Sequence, residues 1–167
     1  MKIYITGSVG SGKTTFARQL AQKLKFNHYQ TDNFVWQRAK GGDVRNTEEK
    51  RDAKLKKALM QASWIIEGVH IGWTDPAIAQ ADIIIFLDIP SRIRKTRIIK
   101  RFIKQVLKIE QANYRPDLHM FRKMFQWNAY FEETMKPQFL EKFRLYPEKV
   151  IIAESLEELM RLLEEKL

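Results

Sequence analysis

The stretch Gly7-Ser8-Val9-Gly10-Ser11-Gly12-Lys13-Thr14 meets the pattern G-x-x-x-x-G-K-[ST] at every fixed position, and it follows the short apolar run Ile3-Tyr4-Ile5. Behind it, Thr15 to Leu24 carries apolar residues at 16, 17, 20, 21 and 24, the spacing of one helix face. A strand, a glycine-rich turn and a helix N-terminus in this order form a phosphate cradle, with successive backbone N–H groups pointing inward and the helix dipole favouring an anion. An ordinary glycine-rich turn is the alternative, and the flanking strand and helix argue against it. The candidate ATP-binding residues are therefore Gly7, Ser8, Gly10, Ser11, Gly12, Lys13, Thr14 and Thr15. In this pattern Lys13 reaches the β- and γ-phosphates, and the Thr14 hydroxyl is a ligand for Mg²⁺.

Working outward, strand-like segments at 2–6, 27–31, 63–67, 82–88 and 149–152 alternate with helix-like ones. Alternation of this kind predicts an α/β fold in three layers, a parallel five-stranded sheet with helices on both faces. Ile83-Ile84-Ile85-Phe86-Leu87 is apolar throughout, as a central strand covered on both sides must be. A helix over 47–62 is expected to begin at an Asn46 cap with Glu49 three positions on, and the last helix at Ser155 with Glu158. The segment 38–46, with Gly41-Gly42-Asp43, reads as a mobile connector.

A chain of 167 residues is expected to form one domain, burying about two thirds of its unfolded surface without help from metal or disulfide. Cysteine is absent, which excludes disulfides, thiolate metal sites and cysteine nucleophiles and suits a reducing cytoplasm. The N-terminus lacks the three regions of a signal peptide and no apolar run approaches about 18 residues, so a soluble cytoplasmic protein with no membrane partner is expected. Thirty Lys and Arg against 20 Asp and Glu give a net charge of +10, suited to a phosphate-rich partner: ATP, a phosphorylated small molecule or nucleic acid.

A cation held by Thr14 and phosphate needs a carboxylate at the carboxyl end of a neighbouring strand. Glu67 ends Trp64-Ile65-Ile66, is followed by Gly68, and is the candidate metal-shell residue. Asp32 ends the second strand in Thr31-Asp32-Asn33-Phe34-Val35-Trp36 and is the candidate base for an acceptor hydroxyl, with an Asx turn as its alternative role. Phe34 and Trp36 stack on a substrate ring or belong to the core. Asp88, before Ile89-Pro90, reads first as a cap for the helix starting near Ser91.

From Arg92 to Lys108 there are eight basic residues and no acidic one. At 100° per residue Arg94, Arg97, Lys100, Arg101, Lys104 and Lys108 share one face, and Ile98, Ile99, Phe102, Ile103, Val106 and Ile109 the other. The lysines read as a solubilising surface. Arg97 and Arg101 stand near the phosphate entrance, where guanidinium forks would clamp charge developing on a transferred phosphoryl group. Tyr114-Arg115-Pro116-Asp117 then breaks the helix, so that about 92–122 is expected to form a small lid.

The segments 7–15 (GSVGSGKTT), Asp32 with Phe34 and Trp36, 64–68 (WIIEG), 81–90 (ADIIIFLDIP), 115–117 (RPD), Trp127-Asn128 and Tyr130 together resemble the adenylate-kinase-related P-loop kinases called DNA topology modulation (FlaR-related) proteins. The resemblance covers most of the chain. It implies a nucleoside- or nucleotide-kinase-like fold with sheet order 2-3-1-4-5, ATP bound by residues 7–15, and arginines after the LDIP segment, Arg97 and Arg101, closing over the phosphates. The chain departs from that family in lacking an arginine within 75–80, in a shortened stretch after RPD, and in Glu67 where Asp is usual. With Glu67 and Asp32-Asn33-Phe34 it is also similar to uridine kinases and nicotinamide riboside kinases, which phosphorylate a sugar hydroxyl.

Two main functions fit these residues. One is a kinase passing the γ-phosphoryl of ATP to a nucleoside, nucleotide or similar small acceptor, with Lys13, Asp32, Arg97 and Arg101 as catalytic groups and Thr14 and Glu67 at Mg²⁺. The other is a nucleic-acid-binding regulator built on the same scaffold, with 92–108 as its contact surface. An ATPase switch without an acceptor is a third. The spacing does not choose among Phe34, Trp36, Arg38, His70, Trp73 and Tyr114 as pocket residues, nor does it give an oligomeric state.

Overall fold

The computed structural model describes residues 1–37, 42–110 and 117–166. Its central sheet holds β1 (Lys2–Gly7), β2 (Asn27–Gln30), β5 (Trp64–Glu67), β6 (Ile83–Leu87) and β7 (Val150–Ala153), all parallel, in the order β2-β5-β1-β6-β7. Counting these five alone, the order is the expected 2-3-1-4-5. The numbering differs because two short strands, β3 (Trp36–Gln37) and β4 (Val44–Arg45), pair antiparallel beside the sheet. Part of the expected connector 38–46 is thus strand, while residues 38–41 lie outside the described residues.

Alternation along β1 divides the core. Ile3 and Ile5 face the layer of α1 (Lys13–Leu24) and α8 (Leu156–Glu164), packing with Phe16, Leu20, Leu159 and Leu163. Tyr4 faces the opposite layer, where α3 (Glu48–Leu59), α4 (Asp75–Gln80) and α7 (Lys136–Phe143) enclose Trp64, Ile66, Ile84 and Phe86. Both faces of the central strands are covered, which is why they read as continuous apolar runs. The short α2 (Asp32–Val35), then α5 (Ser91–Val106) and α6 (Leu118–Tyr130), complete the fold, with a π-helical turn at Phe131–Met135 joining α6 to α7. Among the described residues no helix is long and apolar enough to cross a membrane.

Three local expectations need correction. The cap of α3 is Thr47, whose hydroxyl accepts from the Lys50 N–H, while Asn46 uses its amide to bind the Phe34 carbonyl at 2.8 Å. Asp88 does not cap α5, which starts after Pro90 without a side-chain cap; its carboxylate instead pairs with Lys136 Nζ at 2.7 Å. The expected apolar face of α5 is largely in solvent: Ile99, Ile103 and Val106 are exposed, and the buried seam is Arg94, Ile98 and Gln105. Arg94 tolerates burial because Glu132 pairs with its guanidinium, which also lies over the Phe131 ring at 5.8 Å. The Ser155 cap forms as expected, accepting from the Glu158 N–H at 3.0 Å.

Candidate functional site

The carboxyl ends of β1, β2 and β5 and the N-terminus of α1 meet at one edge of the sheet. Between β1 and α1 the loop closes on itself through the Ser11 N–H to the Ser8 carbonyl, at 3.2 Å. Gly10 has φ 78°, and a Cβ there would stand 2.9 Å from the Arg94 backbone oxygen, so neither the conformation nor the space admits a side chain. Lys13 lies over the loop with Nζ 3.5 Å from the Ser8 carbonyl, a weak contact that leaves the ammonium available to an anion.

Behind the loop, Thr14 Oγ1 donates to Glu67 Oε1 at 2.8 Å. Glu67 is almost fully buried, and this burial pushes its carboxyl above the usual range; the Lys13 ammonium and the Thr14 hydrogen bond pull in the opposite direction. His28 Nε2 stands 4.0 Å from the same carboxylate oxygen, and its ring is held below its ordinary pKa by burial and by Arg18. Thr14 and Glu67 supply a hydroxyl and a buried carboxylate, oxygen donors that suit a hard divalent cation shared with phosphate, with the His28 nitrogen nearby.

Asp32 opens α2 at the end of β2, where its carboxylate is solvent-exposed and 3.9 Å from His70 Nε2. The other ring nitrogen of His70 lies 2.8 Å from Thr31 Oγ1. Thr31 is fully buried and its N–H donates to the Glu67 carbonyl at 2.9 Å, tying β2 to β5 at the point where both strands end. Only glycine fits at 68, since a Cβ there would fall 1.7 Å from Thr31 Oγ1.

Arg97 and Arg101 are not brought together. Arg97 donates from one terminal nitrogen to the Ser11 carbonyl at 2.9 Å and approaches the Gly10 carbonyl at 3.4 Å. Arg101 turns outward, with its Nε 3.2 Å from Glu110 Oε1. A one-turn step along the helix therefore separates a loop residue from a surface ion pair.

Among the aromatic candidates, Phe34 is core, packed between Tyr29 and Trp73 at ring separations of 6.1 and 6.4 Å, and Trp36 is exposed on β3. Trp73 is half-buried, 5.2 Å from the His70 ring and under the Arg51 guanidinium at 4.8 Å. Arg38 and Tyr114, with Arg115 and Pro116 of the expected lid tip, lie outside the described residues.

Thr31 and Asn128 were not among the candidate site residues, although Asn128 is one of those that carry the family resemblance. Thr31 precedes Asp32 at a strand end and was open to discovery by the rule that places functional crevices there. Asn128 is buried within α6, where its amide donates to Ser91 Oγ at 3.1 Å and its carbonyl faces Ser8 Oγ at 3.5 Å. Nothing local to its helix signals a partner in the phosphate loop.

Residues 3–114 match a family model described as AAA domain. The uncharacterized protein YqaC of Bacillus subtilis is 33% identical over 99 residues, covering 59% of this chain and 55% of that protein. A cytidylate kinase of Pyrococcus abyssi is 30% identical over 122 residues, 66% of this chain and 64% of the enzyme. The nucleoside-triphosphatase THEP1 of Methanocaldococcus jannaschii is 29% identical over 127 residues, 66% of this chain and 74% of that protein. The first two of these matches span little more than half to under two thirds of the relatives' own length. With strand, glycine loop, lysine and helix arranged as described and the family match running through them, the chain belongs to the AAA domain family of P-loop nucleoside-triphosphatases.

Proposed function

We propose that this protein is a small-molecule kinase that transfers the γ-phosphoryl group of ATP to a nucleoside, nucleotide or similar acceptor. The observation that carries the reading is the 2.8 Å bond between Thr14 and Glu67 with the exposed Asp32 at the same sheet edge, an arrangement that suits a cation beside an acceptor hydroxyl. An ATPase can use the same two parts with water in place of the acceptor, so transfer to an added acceptor against plain hydrolysis is what separates the two.

Bound Mg²⁺, held by Thr14 and Glu67, would neutralise charge on the β- and γ-phosphate oxygens. Lys13 exchanges its weak contact with the Ser8 carbonyl for a phosphate oxygen. Asp32 accepts the proton of the attacking hydroxyl, which forms the new P–O bond as the bond to ADP breaks. Arg97 holds the loop from outside through the Ser11 carbonyl, and α5, which carries it, flanks the loop in the cytoplasmic enzyme. Cytidylate kinases among the relatives support a nucleotide as acceptor.

The test is a phosphoryl-transfer screen of purified protein with Mg-ATP against nucleosides, nucleotides, sugars and amino alcohols, with Lys13→Ala as control. Transfer to at least one acceptor, lost in the variant while its circular dichroism is kept, is the expected outcome. Near-normal transfer by the variant would overturn the role of the loop.

A second reading, a nucleic-acid-binding regulator like the DNA topology modulation proteins that the sequence resembles, draws support from the exposed Lys95, Lys100 and Lys104 on α5. It requires tight, steeply salt-dependent binding to DNA or RNA.

A further inference from the structure

Past the Thr14–Glu67 pair, the sheet edge carries a second polar row: Thr31 Oγ1, the His70 ring and the Asp32 carboxylate, separated by 2.8 and 3.9 Å. The three come from the end of β2, the start of α2 and the loop after β5, and the row is built with some care. Gly68 leaves the space that the Thr31 side chain fills. The His70 backbone carbonyl is fixed from beneath by the hydroxyls of Thr74 at 2.6 Å and Tyr4 at 3.3 Å. Trp73 lies beside the ring. The His70 backbone is thus anchored and its imidazole held by Thr31 and Trp73, while Asp32 alone in the row is left exposed.

We propose that His70 is a positioning residue for Asp32, presenting an Nε2–H to the carboxylate while Nδ1 accepts the hydroxyl hydrogen of Thr31. The role of Asp32 as proton acceptor rests on the kinase reading; the row of Thr31, His70 and Asp32 does not. A carboxylate has no proton to donate, so the ring nitrogen facing it carries the hydrogen, and in a neutral ring the other nitrogen must then accept. Thr31 supplies that hydrogen. Burial keeps the ring neutral, Asp32 opposing this and Arg51, Lys13 and Arg45 reinforcing it. Among the described residues these four, from α2, α3, α1 and β4, are the charged groups facing the imidazole. At 3.9 Å the Nε2–H and carboxylate are just short of a hydrogen bond, and the exposed Asp32 closes the gap by a side-chain rotation when an acceptor hydroxyl arrives on its other oxygen. One carboxylate oxygen is thereby oriented by His70 and the other is free to take the proton.

Nitrogen-15 histidine spectra of the intact protein test the row without any acceptor. His70 is expected in the Nε2–H tautomer at neutral pH, and in Asp32→Asn its titration midpoint falls further, because the opposing charge of Asp32 is removed. An Nδ1–H tautomer, or a midpoint unmoved by Asp32→Asn, overturns the proposal. The kinetic arm uses CMP and cytidine as probe acceptors with Mg-ATP. His70→Asn, which lacks a donor at the Nε2 position, is expected to lower kcat roughly 10- to 100-fold, a fraction of what a general base contributes. His70→Gln places an amide N–H there and is expected to recover kcat to within about threefold, with KM for ATP unchanged in both. Equal losses in the two variants, or a raised KM for ATP, would mean a merely structural histidine. Wild-type protein inert toward both probes counts against the kinase reading for these acceptors and leaves the spectra to decide the row.

Discussion

Arg97 donates to the carbonyl oxygen of Ser11 across 86 positions of sequence, at 2.9 Å. In a planar trans peptide the N–H points opposite to the C=O, so holding the Ser11 oxygen toward α5 turns the Gly12 N–H to the other side, into the loop. Arg97 thus shapes the cradle from behind, and a charge clamp on the phosphoryl group, if it also acts as one, must come from its remaining N–H groups.

From this geometry Arg97→Ala is expected to lower phosphoryl transfer roughly 10³-fold if the arginine also touches the transferred group, and roughly 10-fold if it only shapes the loop. Arg101→Ala, which breaks a surface pair with Glu110, is expected to change it less than about threefold. Steady-state rates of the two variants settle the order. Equal large losses would restore the expectation that both arginines close over the phosphates.

Lys104→Ala combined with Lys108→Ala separates the two functions. A kinase is indifferent to it, whereas a nucleic-acid surface loses affinity and about one unit of salt slope per lost phosphate contact. Titrations of labelled DNA at several salt concentrations, run beside transfer assays, give both answers from one preparation.

Asp32→Asn keeps the shape and removes proton acceptance, so transfer falls roughly 10²–10⁴-fold with ATP affinity nearly unchanged. Calorimetric ATP binding checks the second half. Parallel loss of ATP binding would move Asp32 into the metal shell.

Glu67 gives a pH signature. Its folded-state pKa is raised by burial, so its contribution to stability is full below the ordinary carboxylate pKa and is lost as pH rises through the raised value. Without nucleotide, Glu67→Gln is therefore expected to melt higher than wild type near pH 8, with the difference shrinking toward about pH 4. With Mg-ATP the order reverses, as the variant lacks the ligand. Melting curves across pH check both, and a difference that is constant with pH would contradict the first.

Removing the partner of a buried cation costs about 3–5 kcal/mol, so Glu132→Ala, which strands Arg94, should lower Tm by roughly 10 °C. Arg94→Met with Glu132→Leu is expected to recover most of that loss. A double variant as unstable as the single one would show that the loss comes from the missing pair itself and not from the uncompensated Arg94 charge.

The phosphate loop, the parallel sheet and the candidate pair Thr14 and Glu67 were legible in the sequence because each rests on local rules: a fixed motif spacing, strand-helix alternation, and apolar runs ending in a carboxylate; the order of the strands came from the family resemblance alone. What local rules do not carry is the rotation of a helix about its own axis. The periodicity of α5 shows a cationic side and an apolar side, yet the helix buries Arg94 and exposes Ile99 and Ile103, since its seam was chosen by Glu132 and by the loop carbonyls that Arg97 binds. For the same reason Arg97 and Arg101, equivalent on a helical wheel, part company. The row from Thr31 through His70 to Asp32 belongs wholly to the tertiary structure: its members lie up to 39 positions apart, and only the pairing of β2 with β5 brings their ends together.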